Sequence, residues 1–146
     1  AFARPWALWQ AATGCARSNA AAQAALEAAG LAHEADRIAG TMSHGAKRQL
    51  EVAMCLATAP RVLLLDEPLA GMGAEETDRM LALLQRLKAT HAVLLVEHDM
   101  DAVFAVADTI TVMVNGQVLE SGPPEQIKAS VAVQQAYLGQ EDSFHV

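Results

Sequence analysis

Two acidic residues close an apolar run at Val62–Leu63–Leu64–Leu65–Asp66–Glu67. A carboxylate at the end of a buried strand is placed to hold a magnesium ion, directly or through water. A second carboxylate beside it can polarise an attacking water as general base. Phosphoryl transfer needs this division of labour, with a metal to neutralise charge and a side chain to orient the nucleophile. A second apolar run, Val93–Leu94–Leu95–Val96, ends in Glu97–His98, where an imidazole can hydrogen-bond a phosphate oxygen or the attacking water. The third element is Met42–Ser43–His44–Gly45–Ala46, ahead of an apolar helical stretch. Serine caps a helix, glycine allows close backbone approach, and the helix start offers N–H donors to an anion. Each element has a plainer reading: two acids in a solvated turn, a structural histidine, an ordinary N-cap. The three together, in this order, are far less expected by chance than any one of them.

The elements that must position these residues follow from the pattern. Asn19–Ala29 is alanine-rich and predicts a helix that Gly30 stops. Leu31–Met42 reads as irregular with one helical turn. Ser43 opens a helix to about Thr58, and Pro60 bars its continuation. Val62–Leu65 and Ala92–Val96 are short continuous apolar runs, the pattern of buried parallel strands. Between them, Met80, Leu83, Leu84 and Leu87 recur at helical spacing in Glu75–Lys88. Met100–Ala107 reads as a short helix. Asn115–Gly116, between Thr109–Val114 and Gln117–Glu120, is a strong hairpin signal. Glu125–Leu138 reads as one or two short helices, and 139–146 as a frayed end. Residues 1–18, with Trp6 and Trp9, show no clear period. Strands alternating with helices predict an α/β fold whose parallel sheet is covered on both faces, with ligands beyond the carboxyl ends of the strands.

Composition narrows the function. The chain has 146 residues, 53% of them hydrophobic, and a net charge of -7. That charge opposes general nucleic-acid binding but not the binding of one nucleotide, whose charge a metal ion and backbone dipoles offset. Cys15 and Cys55 form no CxxC pair, and Cys55 is expected to be a small core residue in a reducing, cytosolic compartment. No apolar run is long enough to span a bilayer, and no signal peptide is visible. No G-x-x-x-x-G-K-[ST] occurs, so nothing here cradles the α and β phosphates. Residue 1 is alanine. The expectation is a chain that starts downstream of such a loop.

These residues resemble the nucleotide-binding subunit of ABC transporters over about Leu31 to Gly139. Met42–Ala46 is similar to the signature motif, and Val62–Leu65 with Asp66–Glu67 to Walker B and its glutamate. Ala70–Gly71–Met72–Gly73 resembles the D-loop, and His98 the switch histidine. Arg48–Gln49–Leu50–Glu51, Pro68–Leu69–Ala70–Gly71–Met72, Val96–Met100 and Ala136–Tyr137–Leu138–Gly139 resemble the branched-chain amino acid importer branch. The expected fold class is therefore α/β: an incomplete P-loop NTPase core of parallel strands flanked by helices, part of the helical subdomain, and a C-terminal β-hairpin. The expected division is 1–59 (helical subdomain remnant and signature helix), 60–122 (Walker B to H-loop core and hairpin) and 123–146 (helical tail).

The resemblance implies that Asp66 helps hold Mg2+, Glu67 activates water and His98 contacts the γ-phosphate. Ser43, His44, Gly45 and Ala46 would face the ATP bound by a partner subunit, and Ala70, Gly71 and Met72 would form the D-loop. It implies a homo- or heterodimer of ATPase subunits, membrane permease subunits, indirectly an extracytoplasmic solute-binding protein, and no nucleic acid. The site of action would be cytoplasmic and peripheral, on the inner face of the cell membrane. Met42, Ala46 and Lys47 depart from the usual signature, and Gly73 stands where many relatives carry the D-loop aspartate. The Walker A loop and Q-loop glutamine are missing from these 146 residues, so the chain by itself is expected to be inactive. Other expectations consistent with the motifs are an ABC ATPase serving a non-transport machine and a non-catalytic interaction module.

Overall fold

A computed structural model describes residues 15–141, with side chains through Tyr137. Trp6, Trp9 and His145 lie outside the described residues. The chain divides into two compact units, residues 1–97 and 98–146.

The first unit begins with α1 (Ala16–Ala28), ending at Gly30 with φ +78° as the helix-stop reading expects. Two short 3-10 turns, Ala32–Glu34 and Ala39–Thr41, lead to α2 (His44–Leu56). Ser43 is its N-cap, and its hydroxyl accepts from Ala46 N at 3.2 Å. Strand β1 (Val62–Asp66) pairs in parallel with β2 (Ala92–Val96), with Asp66 opposite Val96. The crossover is α3 (Ala74–Leu87), which carries Glu75 and Glu76 in its first turn, where the helix dipole favours acids. Its stripe Met80, Leu83, Leu84 and Leu87 is buried, as are Leu63 and Leu65 on one face of β1.

The other face of this sheet differs from the sequence expectation. Val62, Leu64, Leu94 and Val96 are exposed, Leu64 at 73%. The strands are apolar on both faces, but the described residues cover one. Side chains alternate along a strand, so every second residue is left bare. Cys55 is likewise exposed and not a core residue. It lines a shallow cleft of about 520 Å³ with Met54, Pro60, Val62 and Leu64.

The second unit holds α4 (Met100–Val106), the antiparallel hairpin of β3 (Ile110–Val114) and β4 (Gln117–Gly122), α5 (Pro124–Ala129) and α6 (Val131–Glu141). Asn115 and Gly116 both have positive φ, +50° and +77°, the conformation a tight two-residue hairpin loop requires. The ladder is irregular between Val112 and Met113, and β4 runs to Gly122, two residues beyond the expected Glu120. Ile110, Ile127 and Val133 form the core of this unit. The tail is two helices, the second running through Gly139 to Glu141 where a frayed end was expected.

Leu83 and Ile127 are fully buried, one in each unit. Leu83→Ala and Ile127→Ala should each lower stability by about 2–5 kcal/mol, measured by urea unfolding. Val118→Thr, at an exposed strand position, should change it by less than about 0.5 kcal/mol.

Candidate functional site

The parallel register fixes where the acids stand. Asp66 is the last residue of β1 and Glu67 the first beyond it. Glu67 donates its backbone N–H to Val96 O at 2.9 Å, which extends the pairing one residue past the strand. It adopts φ +45°, in the left-handed region that L residues with long side chains disfavour. Asp66 points to the exposed side of the sheet and lines a cleft of about 200 Å³ with Arg48, Glu51, Cys55 and Pro68.

The loop after Glu67 is held from two sides. Leu69 N donates to the Glu97 carboxylate at 2.9 Å, so the acid at the end of β2 fixes the loop leaving β1. His44 Nε2 lies 3.1 Å from Ala70 O. A carbonyl can only accept, so that nitrogen carries the proton. Gly71, with φ +73°, sits against the same ring. The structure therefore brings Ser43, His44 and Gly45 together with Ala70 and Gly71. His98 opens the second unit, and Asp99 caps α4 by accepting from Ala102 N at 3.1 Å.

The start of α2 already holds an anion. Glu76 Oε1 accepts from Ser43 Oγ at 2.8 Å and from Gly45 N at 3.1 Å. A Cβ at Gly45 would stand 2.5 Å from Glu76 Cδ, so glycine is required there. The Ser43 hydroxyl is the largest influence holding the Glu76 carboxyl below its usual range; burial, next in size, opposes it, and the Gly45 and Gly73 amides and Arg79 add to the lowering. Sequence reading assigned Ser43 and Gly45 to the site but missed Glu76 and Glu97. Their partners lie 33 and 28 residues away, beyond any local pattern. Among the described residues, no group of three or more His, Cys, Asp or Glu could hold a metal ion.

Residues 4–70 of the chain match the family model described as ABC transporter, and the chain is similar over most of its length to ATP-binding cassette proteins. It is 46% identical over 117 residues to the high-affinity branched-chain amino acid transport ATP-binding protein BraF of Pseudomonas aeruginosa, covering 79% of this chain and 46% of BraF. It is 42% identical over 129 residues to the corresponding LivG of Escherichia coli K12, covering 86% of this chain and 51% of LivG. Among solved structures, it resembles an ATP-binding cassette in its ADP conformation, at TM-score 0.76 and 30% identity over 84% of this chain and 50% of that one. A nucleotide-free cassette gives TM-score 0.77 at 27% identity, over 92% and 53%. The chain spans about half the length of the curated relatives it matches.

Two expectations follow. Glu67→Gly should leave urea stability unchanged or raised, although glycine elsewhere costs about 0.5–1 kcal/mol. Glu67→Val should lose about 1–3 kcal/mol, because a β-branched residue fits φ +45° poorly. The second concerns Glu76. Its folded-state pKa is depressed, so its contact stabilises fully above the unfolded carboxyl value and is lost as pH falls through the lower folded value. Stability of Glu76→Gln measured from about pH 5 to about pH 2 should therefore fall less steeply than that of the parent.

Proposed function

We propose that the chain carries the signature, Walker B and switch-histidine segments of an ABC importer ATPase, one that energises uptake of branched-chain amino acids or related solutes. The observation that supports this reading best is the start of α2. There Ser43 Oγ and Gly45 N converge on a single carboxylate oxygen, as donors for a phosphoryl oxygen would. The names of BraF and LivG point to the solute class.

In this reading ATP lies between two ATPase subunits. Glu67 takes the proton of a water as its oxygen attacks the γ-phosphorus, and the bond to the β–γ bridging oxygen breaks to leave ADP and phosphate. His98 hydrogen-bonds the γ-phosphate. Ser43, His44, Gly45 and Ala46 face the nucleotide of the partner subunit, and Ala70, Gly71 and Met72 form the D-loop between the two sites. Magnesium, when bound with ATP, neutralises charge on the β and γ oxygens. Asp66 suits it: magnesium commonly takes one or two carboxylates with substrate phosphates and waters, so a single strand-end acid meets the need without a cage. The partners in this reading are a second ATPase subunit, identical or not, the membrane permease subunits and, through them, an extracytoplasmic solute-binding protein. The subunit would sit on the inner face of the cell membrane. No helix among the described residues is long and apolar enough to cross one.

Phosphate release by the full-length gene product tests the assignment. Glu67→Gln should lower turnover by at least about 100-fold while ATP binding persists. Undiminished turnover in that variant would overturn the role given to Glu67. The 146 residues by themselves, which hold no G-x-x-x-x-G-K-[ST], should release no phosphate.

A further inference from the structure

We propose that Glu76 is a tethered carboxylate that occupies the γ-phosphate donors of Ser43 and Gly45 and must be displaced before the partner subunit's ATP can bind there. The inference rests on the functional reading above, which gives those two donors to the nucleotide.

Three contacts converge on Glu76. Its Oε1 takes the Ser43 hydroxyl at 2.8 Å and the Gly45 amide at 3.1 Å. Its side-chain carbons fill the space above Gly45, where a Cβ would come within 2.5 Å of Cδ and 2.8 Å of Cγ. The same Ser43 oxygen also caps α2 through Ala46 N, so the hydroxyl proton is directed outward at Glu76. A hydroxyl has one proton and an amide N–H one hydrogen. Neither donor can serve a carboxylate and a phosphate oxygen fully at once, and two anions on one helix start repel each other.

Displacement has a consequence for the loop. Glu76 is in the first turn of α3, three residues past Gly73, where the loop that follows Glu67 ends. When the carboxylate leaves Ser43, the tie between α2 and the start of α3 opens. The His44–Ala70 contact remains between the α2 start and the loop. Arrival of a phosphate at one subunit's signature is thereby felt at the loop that leads from its own Glu67. Glu76 is a positioning residue: it acts on the nucleotide by holding and releasing the groups that bind it.

The test uses the full-length gene product, with the ATP concentration for half-maximal dimerisation read in a Glu67→Gln background and KM and kcat read in the parent background. Glu76→Gln keeps the shape and an acceptor oxygen but removes the charge. It should lower the half-maximal ATP concentration roughly fivefold or more, with the change falling on KM. Glu76→Ala, which removes the acceptor as well, should move it in the same direction even if the melting temperature drops. If both variants leave the ATP requirement unchanged, or raise it, the carboxylate is a structural brace between α2 and α3 and the proposal is wrong. Ser43→Ala separates the two levels. Unaltered ATP-dependent dimerisation in Ser43→Ala would refute the assignment of Ser43 to the nucleotide. A raised ATP requirement there, with no effect at Glu76, would refute the tether alone.

Discussion

The pairing of β1 with β2 in one register determines nearly everything placed around it. Asp66 stands opposite Val96, and the Glu67 amide continues the ladder to Val96 O. Side chains alternate with a period of two, so a slip of one residue would turn Leu63 and Leu65 outward and carry Asp66 into the core. The burial of Leu63 and Leu65, with the buried stripe of the crossover helix α3 in the same unit, holds that register. Polar residues that cannot be buried are thereby delivered to the carboxyl ends of the strands. Glu97 shows how close the coupling is: one residue past β2, it reaches across to the amide of Leu69 past β1.

That cross-tie accounts for a conformation the chain would not adopt by itself. A glutamate at φ +45° is costly locally and persists where its surroundings over-determine it. Here the amide of Glu67 is fixed by Val96, its carbonyl accepts from Ala70 N at 3.2 Å, Leu69 N is held by Glu97, and Ala70 O by His44. The constraints come from β2 and from the start of α2, so the loop takes its shape from both neighbours. The ring of His44, at the start of α2, reaches the loop that follows Glu67, which links two segments that the sequence presents 26 residues apart.

Much of this was legible because it is local. Ser43 as a cap, Gly30 as a stop, the 3.6-residue stripe of α3 and Asn115–Gly116 as a turn each depend on a few neighbouring residues, and each was found within a residue or two of its expected place. Leu64 and Leu94 show where local reading ends. An apolar strand records what kind of face suits it, whereas its covering depends on elements elsewhere in the chain. Cys55 failed for the same reason: it lies on a largely apolar helix, and the face it occupies is the exposed one. Glu76 could be read as an acid favoured in a helix's first turn, which it is. That it also reaches the start of a different helix follows from the packing of α2 on α3, which no window of sequence contains.

The charge of the chain sharpens the point. With a formal charge of -7, the molecule as a whole repels anions, yet one helix start holds a carboxylate with two donors within 3.1 Å. Exposed charges more than a Debye length away, about 8–10 Å at moderate salt, are largely screened. A hydroxyl and an amide in contact are not, and the helix dipole adds to them over the first turn. Anion binding here is therefore decided within one helical turn of Ser43. Glu76 demonstrates it with the anion the chain itself supplies: the Ser43 hydroxyl, before every other influence on that carboxyl, favours its charged form. A site that stabilises an anion against the field of its own molecule owes that to geometry, and the geometry is that of a capped helix start with no side chain at its second residue.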